Sequence, residues 1–132
     1  MSRFRSDTGA TAVEFAIVLL PLLLILLGII DFGRVYSNQL TLSAAAREGV
    51  RTMAIYNNTA AAKAATRSAA GGLAPALSDA QISFSTTCLP AQSPPQTVTV
   101  TVTYPVTSLT GMFDALLDGK NLVGVGVMRC GG

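Results

Sequence analysis

The feature that most limits this chain is the run at residues 15–30, Phe-Ala-Ile-Val-Leu-Leu-Pro-Leu-Leu-Leu-Ile-Leu-Leu-Gly-Ile-Ile, which carries no charge and is apolar on every side of a helix. A helix packed on a soluble core shows one apolar stripe, so this all-round pattern faces lipid. Extended back to Ala10, the run makes about 30 Å of helix at 1.5 Å per residue, the thickness of a bilayer's hydrocarbon. The spacing therefore predicts one transmembrane span over residues 10–30. Composition fits: 50% of residues are apolar and 12% charged, against about 25% charged in an ordinary soluble domain. The 132 residues hold one domain and an appendage.

Arg3 and Arg5 precede the run, whereas its far side opens with Asp31 and Arg34. The positive-inside bias then leaves the N-terminus in the cytoplasm and exports the rest. A cleaved secretory signal shares the basic start and apolar run. Its cleavage motif is misplaced here, because the nearest Ala-x-Ala, residues 44–46, lies beyond Asp31 and Arg34. Pro21 removes one backbone donor, which predicts a kink or a local melt.

Charge and residue types narrow the function classes. A formal net charge of +2 from nine basic and seven acidic residues gives no phosphate-binding footprint, which argues against nucleic acid as a partner. The absence of His removes the commonest general base and metal ligand. No nucleophile stands beside a base. Asp114 and Asp118, one helical turn apart, read as solvated helix ends, and Gly124-Val-Gly126 as strand glycines. Neither a catalytic residue, a metal site nor a cofactor is expected.

Glu14 stands where an ionised carboxylate is costly. One reading is a capping box, Thr11-Ala-Val-Glu14, with Thr11 as N-cap. The other notes Gly9 five residues upstream, at the end of a basic leader. Cutting after Gly9 would make Glu14 the fifth residue.

The order Arg3-Phe-Arg5-Ser-Asp-Thr-Gly9, then Ala10-Thr-Ala-Val-Glu14-Phe15, resembles type IV pilin precursors. The stretch to Leu27-Gly-Ile-Ile-Asp31-Phe-Gly33-Arg34 resembles more narrowly the TadE-like pseudopilins of the tight-adherence (Tad/Flp) system, which are accessory or minor pilins. The resemblance implies cleavage between Gly9 and Ala10 by a prepilin peptidase and a Glu14-Phe15 pair that serves assembly. The new amine on Ala10 would be neutralised by Glu14, on a neighbour or in its own chain. A subunit in wrong register would leave a charge unpaired in low dielectric. The implied partners are the peptidase, other pilin or pseudopilin subunits and the inner-membrane assembly platform. The implied location is a bacterial inner membrane, with the head periplasmic or, in a pilus, extracellular. The implied role is non-enzymatic, in a pilus used for adhesion or secretion. A permanently anchored scaffold or binding module that keeps residues 1–9 is the alternative, and a small anchored hydrolase a further one.

Past residue 30, Phe32, Val35, Tyr36, Leu40, Leu42, Ala45, Ala46, Val50, Met53 and Ala54 recur mostly at three and four. This predicts an amphipathic continuation over residues 31–56, with Arg34, Asn38, Gln39, Arg47, Glu48 and Arg51 on the opposite face. Arg47 and Arg51, one turn apart, suit either an acidic ligand or a solvated face beside Glu48. Asn57-Asn58-Thr59 is a helix stop and restart that also spells a glycosylation acceptor. Residues 60–70 predict a short Ala-rich helix with too thin an apolar face to tell a packed helix from a mobile one.

Residues 57–132 form the expected head. Period-two alternation predicts strands over 82–87, 97–103 and 122–128. Prolines 90, 94 and 95 fill the first connection, and a short helix is possible within 109–117. An antiparallel meander on the long helix would bury the valine face and turn Thr97, Thr99, Thr101 and Thr103 outward. Cys88 and Cys130, in an exported head, predict one disulfide, whereas zinc lacks enough ligands. The fold class is α+β: a long helix whose first half spans a membrane, a short second helix and a small three-stranded antiparallel sheet.

Overall fold

The computed structural model describes residues 7–89, 95–111 and 113–131, so Arg3, Arg5, Pro90 and Pro94 lie outside the described residues. A single helix, α1 (Asp7–Tyr56), carries the molecule. It runs unbroken through Pro21, so no local melt occurs there. Proline costs the ladder only the bond to the Ile17 carbonyl, and the turns on both sides hold. Because α1 already includes Asp7, Thr11 is interior to the helix. Thr11 is therefore not an N-cap, and the capping-box reading of Glu14 falls.

The two halves of α1 live in different surroundings. From Val13 to Ile30 most large side chains are exposed, Phe15 by 65% and Ile25 by 62%. Beyond residue 40 one face is sealed: Leu42, Ala45, Ala46, Val50, Met53 and Ala54 are all buried at the helical spacing. Between them the expected faces are exchanged. Phe32, Tyr36 and Leu40 are exposed, whereas Arg34 donates to the Ala74 carbonyl and Gln39 to the Val123 carbonyl, at 3.3 and 2.9 Å. Long polar side chains bridge to the head's backbone there, and Tyr36 and Leu40 look away.

The helix ends where Asn57 takes φ 46°, a left-handed value that Asn tolerates. The next residue, Asn58, caps α2 (Thr59–Ala69) by accepting the Ala61 amide at 3.0 Å. The thin face of α2 is packed: Ala62 and Thr66 are fully buried, and they sit over Gly49, where a β-carbon would strike the Thr66 hydroxyl. Small residues on both helices let them approach closely.

The sheet is an antiparallel meander, β1 (Ile82–Phe84), β2 (Thr97–Pro105) and β3 (Asn121–Arg129), in the order β1-β2-β3. β1 is half its expected length, ending where Ser85 turns its hydroxyl to accept the Thr99 amide. A single helical turn, α3 (Asp114–Leu117), lies in the connection before β3. Val98, Val100, Val102 and Tyr104 of β2 point into the core, with Thr97, Thr99, Thr101 and Thr103 on the other face. In β3 the valine expectation is reversed. Val123, Val125 and Val127 are exposed, because the register sets Gly124 opposite Val102 and Gly126 opposite Val100. The glycines face α1, where a β-carbon on Gly124 would lie 2.5 Å from the Leu42 carbonyl oxygen and one on Gly126 would overlap the Ala46 carbonyl. Only glycine lets this strand's backbone rest on the helix backbone.

Candidate functional site

The N-terminal site residues lie on the uncovered half of α1. Gly9, Ala10, Glu14 and Phe15 are all exposed and helical. Ala10 and Glu14 are four residues apart, hence neighbours on one helix face. An apolar stripe continues from them: Leu22, Ile25, Ile29, Phe32, Tyr36 and Leu40 follow at intervals of three and four, and each is exposed. It crosses from residues 10–30 onto residues 31–56 of α1, on a side that the head touches only where Phe113 meets Phe32 among the described residues.

The head is fastened at the junction by a group that sequence reasoning treated only as a boundary marker. Asp31 is 3% exposed. Its Oδ2 accepts the Thr110 hydroxyl at 2.6 Å and the Ser108 hydroxyl at 2.9 Å, and its Oδ1 accepts the Leu109 amide at 3.1 Å. Ser108 in turn accepts the Gly111 amide at 3.0 Å, so the turn is folded around the carboxylate. The Thr110 bond leads in holding the Asp31 carboxyl below its ordinary range; burial opposes it, and the Ser108 and Leu109 bonds add to it. Beside this clamp Phe113 meets Phe32, ring centres 6.2 Å apart, and its Cζ would lie 3.7 Å from a β-carbon on Gly28. The sequence signal was the Ser-x-Thr pair at 108 and 110, but 77 to 79 residues separate it from Asp31.

Cys88 and Cys130 are joined in a disulfide with Cα atoms 5.4 Å apart. The Cys88 amide donates to the Asn57 side chain at 2.8 Å, and the Gly131 amide to the Ala54 carbonyl at 3.3 Å. The bridge thus sits at the far end of α1 from Asp31. Arg47 and Arg51 are exposed with Glu48 between them, on a groove shared with Val125, Val127 and Met128. Asp114 and Asp118 are exposed at the two ends of α3. Among the described residues no cluster of three or more His, Cys, Asp or Glu side chains could hold a metal ion.

With this geometry in place, the comparison with protein families is decisive for the helix. Residues 9–51 match the family described as TadE-like protein. The helix is TadE-like. The TadE-like stretch starts at Gly9, takes in Glu14, the bare stripe and Asp31, and stops before α1 ends, leaving α2 and the sheet outside it. No curated protein and no solved structure matches the chain. The match speaks for residues 9–51, and one long apolar helix near the N-terminus fits a single-pass membrane anchor.

Proposed function

We propose that this protein is a minor pilin or pseudopilin of a Tad/Flp-type pilus, cut after Gly9 by a prepilin peptidase and inserted laterally among other subunits. The observation that carries the reading is the coincidence of the TadE-like stretch with an α1 surface that the protein's own head leaves uncovered. Residues 10–30 rest in lipid before assembly, with residues 1–9 cytoplasmic and the head periplasmic. The stripe through Ile29, Tyr36 and Leu40 then packs against neighbouring helices, both at membrane level and beyond it. Removing the leader creates an amine on Ala10 one turn from Glu14. Pairing the two in low dielectric favours the register that matches them and disfavours any that leaves one charge alone. No reaction is assigned to the chain, whose work is non-covalent.

Gly9 and Ala10 are helical, so a peptidase must open the first turns to reach the bond. Gly9 weakens the helix there by about 1 kcal/mol relative to Ala, which eases that opening. The test is N-terminal sequencing of the protein from its native cell with the peptidase active. A chain beginning at Ala10 supports the reading. One that begins ahead of Ala10 overturns it in favour of a permanently anchored module.

A further inference from the structure

We infer that the turn formed by residues 108–111 and 113–117 is a second membrane contact, seated in the outer boundary of the bilayer that α1 crosses. This inference rests on α1 spanning that bilayer. Asp31 marks the end of the uncharged run, and its hydrogen bonds pin Ser108, Leu109 and Thr110 at that level. From there the chain moves toward the membrane. Phe113 packs at Gly28, three residues inside the apolar run, which is about 4–5 Å further in along the helix axis. The head therefore reaches below the point where α1 leaves the hydrocarbon.

The side chains displayed around this contact suit lipid. Leu109 is 59% and Leu116 64% exposed, flanking a half-buried Phe113. In water this would be an unpaid apolar patch beside an apolar helix; at the boundary the acyl chains that cover Ile29 and Ile30 cover it too. Polar groups are distributed to match. Asp114, Asp118 and Lys120 are exposed along the turn, where the headgroups and water lie. The Asp31 carboxylate, which lipid would penalise, is enclosed by the turn's own hydroxyls and amide. The occupant is thus the outer leaflet, continuous with the lipid around α1. The turn holds the head down against the membrane and must be withdrawn when a subunit leaves it.

The chain has no Trp, so single reporters can be placed without background. The full-length protein carrying Leu109→Trp or Leu116→Trp would be placed in vesicles of phosphatidylethanolamine and phosphatidylglycerol containing dibrominated phosphatidylcholine. Leu23→Trp, within the span, and Thr87→Trp, at the disulfide end of the head, serve as references. The expected result is blue-shifted emission from both turn reporters and loss of that emission to bromines high on the acyl chain. Bromines near the chain end should quench Leu23→Trp instead, and Thr87→Trp should keep its emission throughout. Unquenched turn reporters beside a quenched Leu23→Trp would overturn the inference and leave the membrane anchor standing. A blue shift without quenching that grows with the protein-to-lipid ratio would also overturn it, showing a second copy over the turn. An unquenched Leu23→Trp would remove anchor and inference together.

Discussion

Replacing Gly124 by alanine adds one methyl group, and the structure fixes what it meets. A β-carbon there lies 2.5 Å from the oxygen and 2.6 Å from the carbon of the Leu42 carbonyl. Both are backbone atoms of a helix whose Leu42 and Ala46 are wholly buried, so no flexible side chain can yield. Either β3 or α1 must shift, and overpacking of that kind costs about 1–3 kcal/mol. Alanine restricts the unfolded chain and returns only about 0.4–1 kcal/mol. The net effect is a loss of about 1.3 kcal/mol at mid-range, a fall of roughly 5–10 °C in the midpoint of a head this size and about 20 °C at most. Gly72 supplies the control. A β-carbon there meets nothing within 4 Å, and its φ is not positive, so Gly72→Ala should be neutral or slightly stabilising. Thermal unfolding of the full-length protein in detergent, followed by circular dichroism at the strand signal, reads both variants. If Gly124→Ala melts at or above the unsubstituted protein while Gly72→Ala does the same, the claim that β3 rests on the α1 backbone is wrong.

Other outcomes follow from the same contacts. The Asp31 carboxyl is held below its ordinary 3.8, so its contribution to stability is complete above that pH and is lost as pH falls through the lower folded value. Acid titration should show that loss in the unsubstituted protein and not in Asp31→Asn, whose Leu109 and Gly111 amides should also exchange faster with deuterium. Breaking the Cys88–Cys130 bridge by Cys130→Ser frees a loop of sequence separation 42 and should cost about 4 kcal/mol in the chain-entropy model, read by denaturant titration. In the native cell, Gly9→Leu should leave residues 1–9 attached, seen by mass spectrometry. Glu14→Ala should be processed normally but co-purify poorly with partner subunits, and normal recruitment would count against the register role.

Local patterns made most of the fold legible. The apolar run, the Asn-Asn-Thr break before α2 and the Thr-Val alternation of β2 each depend on neighbours within a turn or a pleat, and each element stands where its pattern put it. The inside face of β3 was harder to read. A Val-Gly alternation announces two faces, and burial of the valines is the obvious choice until a helix backbone lies close enough to demand the glycines. The same limit applies to Gln39 and Arg34, whose partners are backbone carbonyls of distant loops. Asp31 looked like the end of a membrane segment because its partners Ser108 and Thr110 stand 77 and 79 positions away in the sequence. Thr11 looked like a cap because the Thr-x-x-Glu spacing is also found inside helices, and only the turn containing Asp7 distinguishes the cases.

The core on α1 begins only at Leu42, with the Asp31 clamp and Phe113 beside Gly28 as the lowest fastenings, and this division of labour has a mechanical result. No residue of the buried core lies on the helix before Leu42, so the core itself does not depend on what surrounds the bare half. In the proposed assembly, solvating tails would be exchanged for the flanks of sister molecules without repacking the core, and once the turn beside Gly28 is withdrawn the folded globule would ride out of the bilayer as rigid cargo on its own stem.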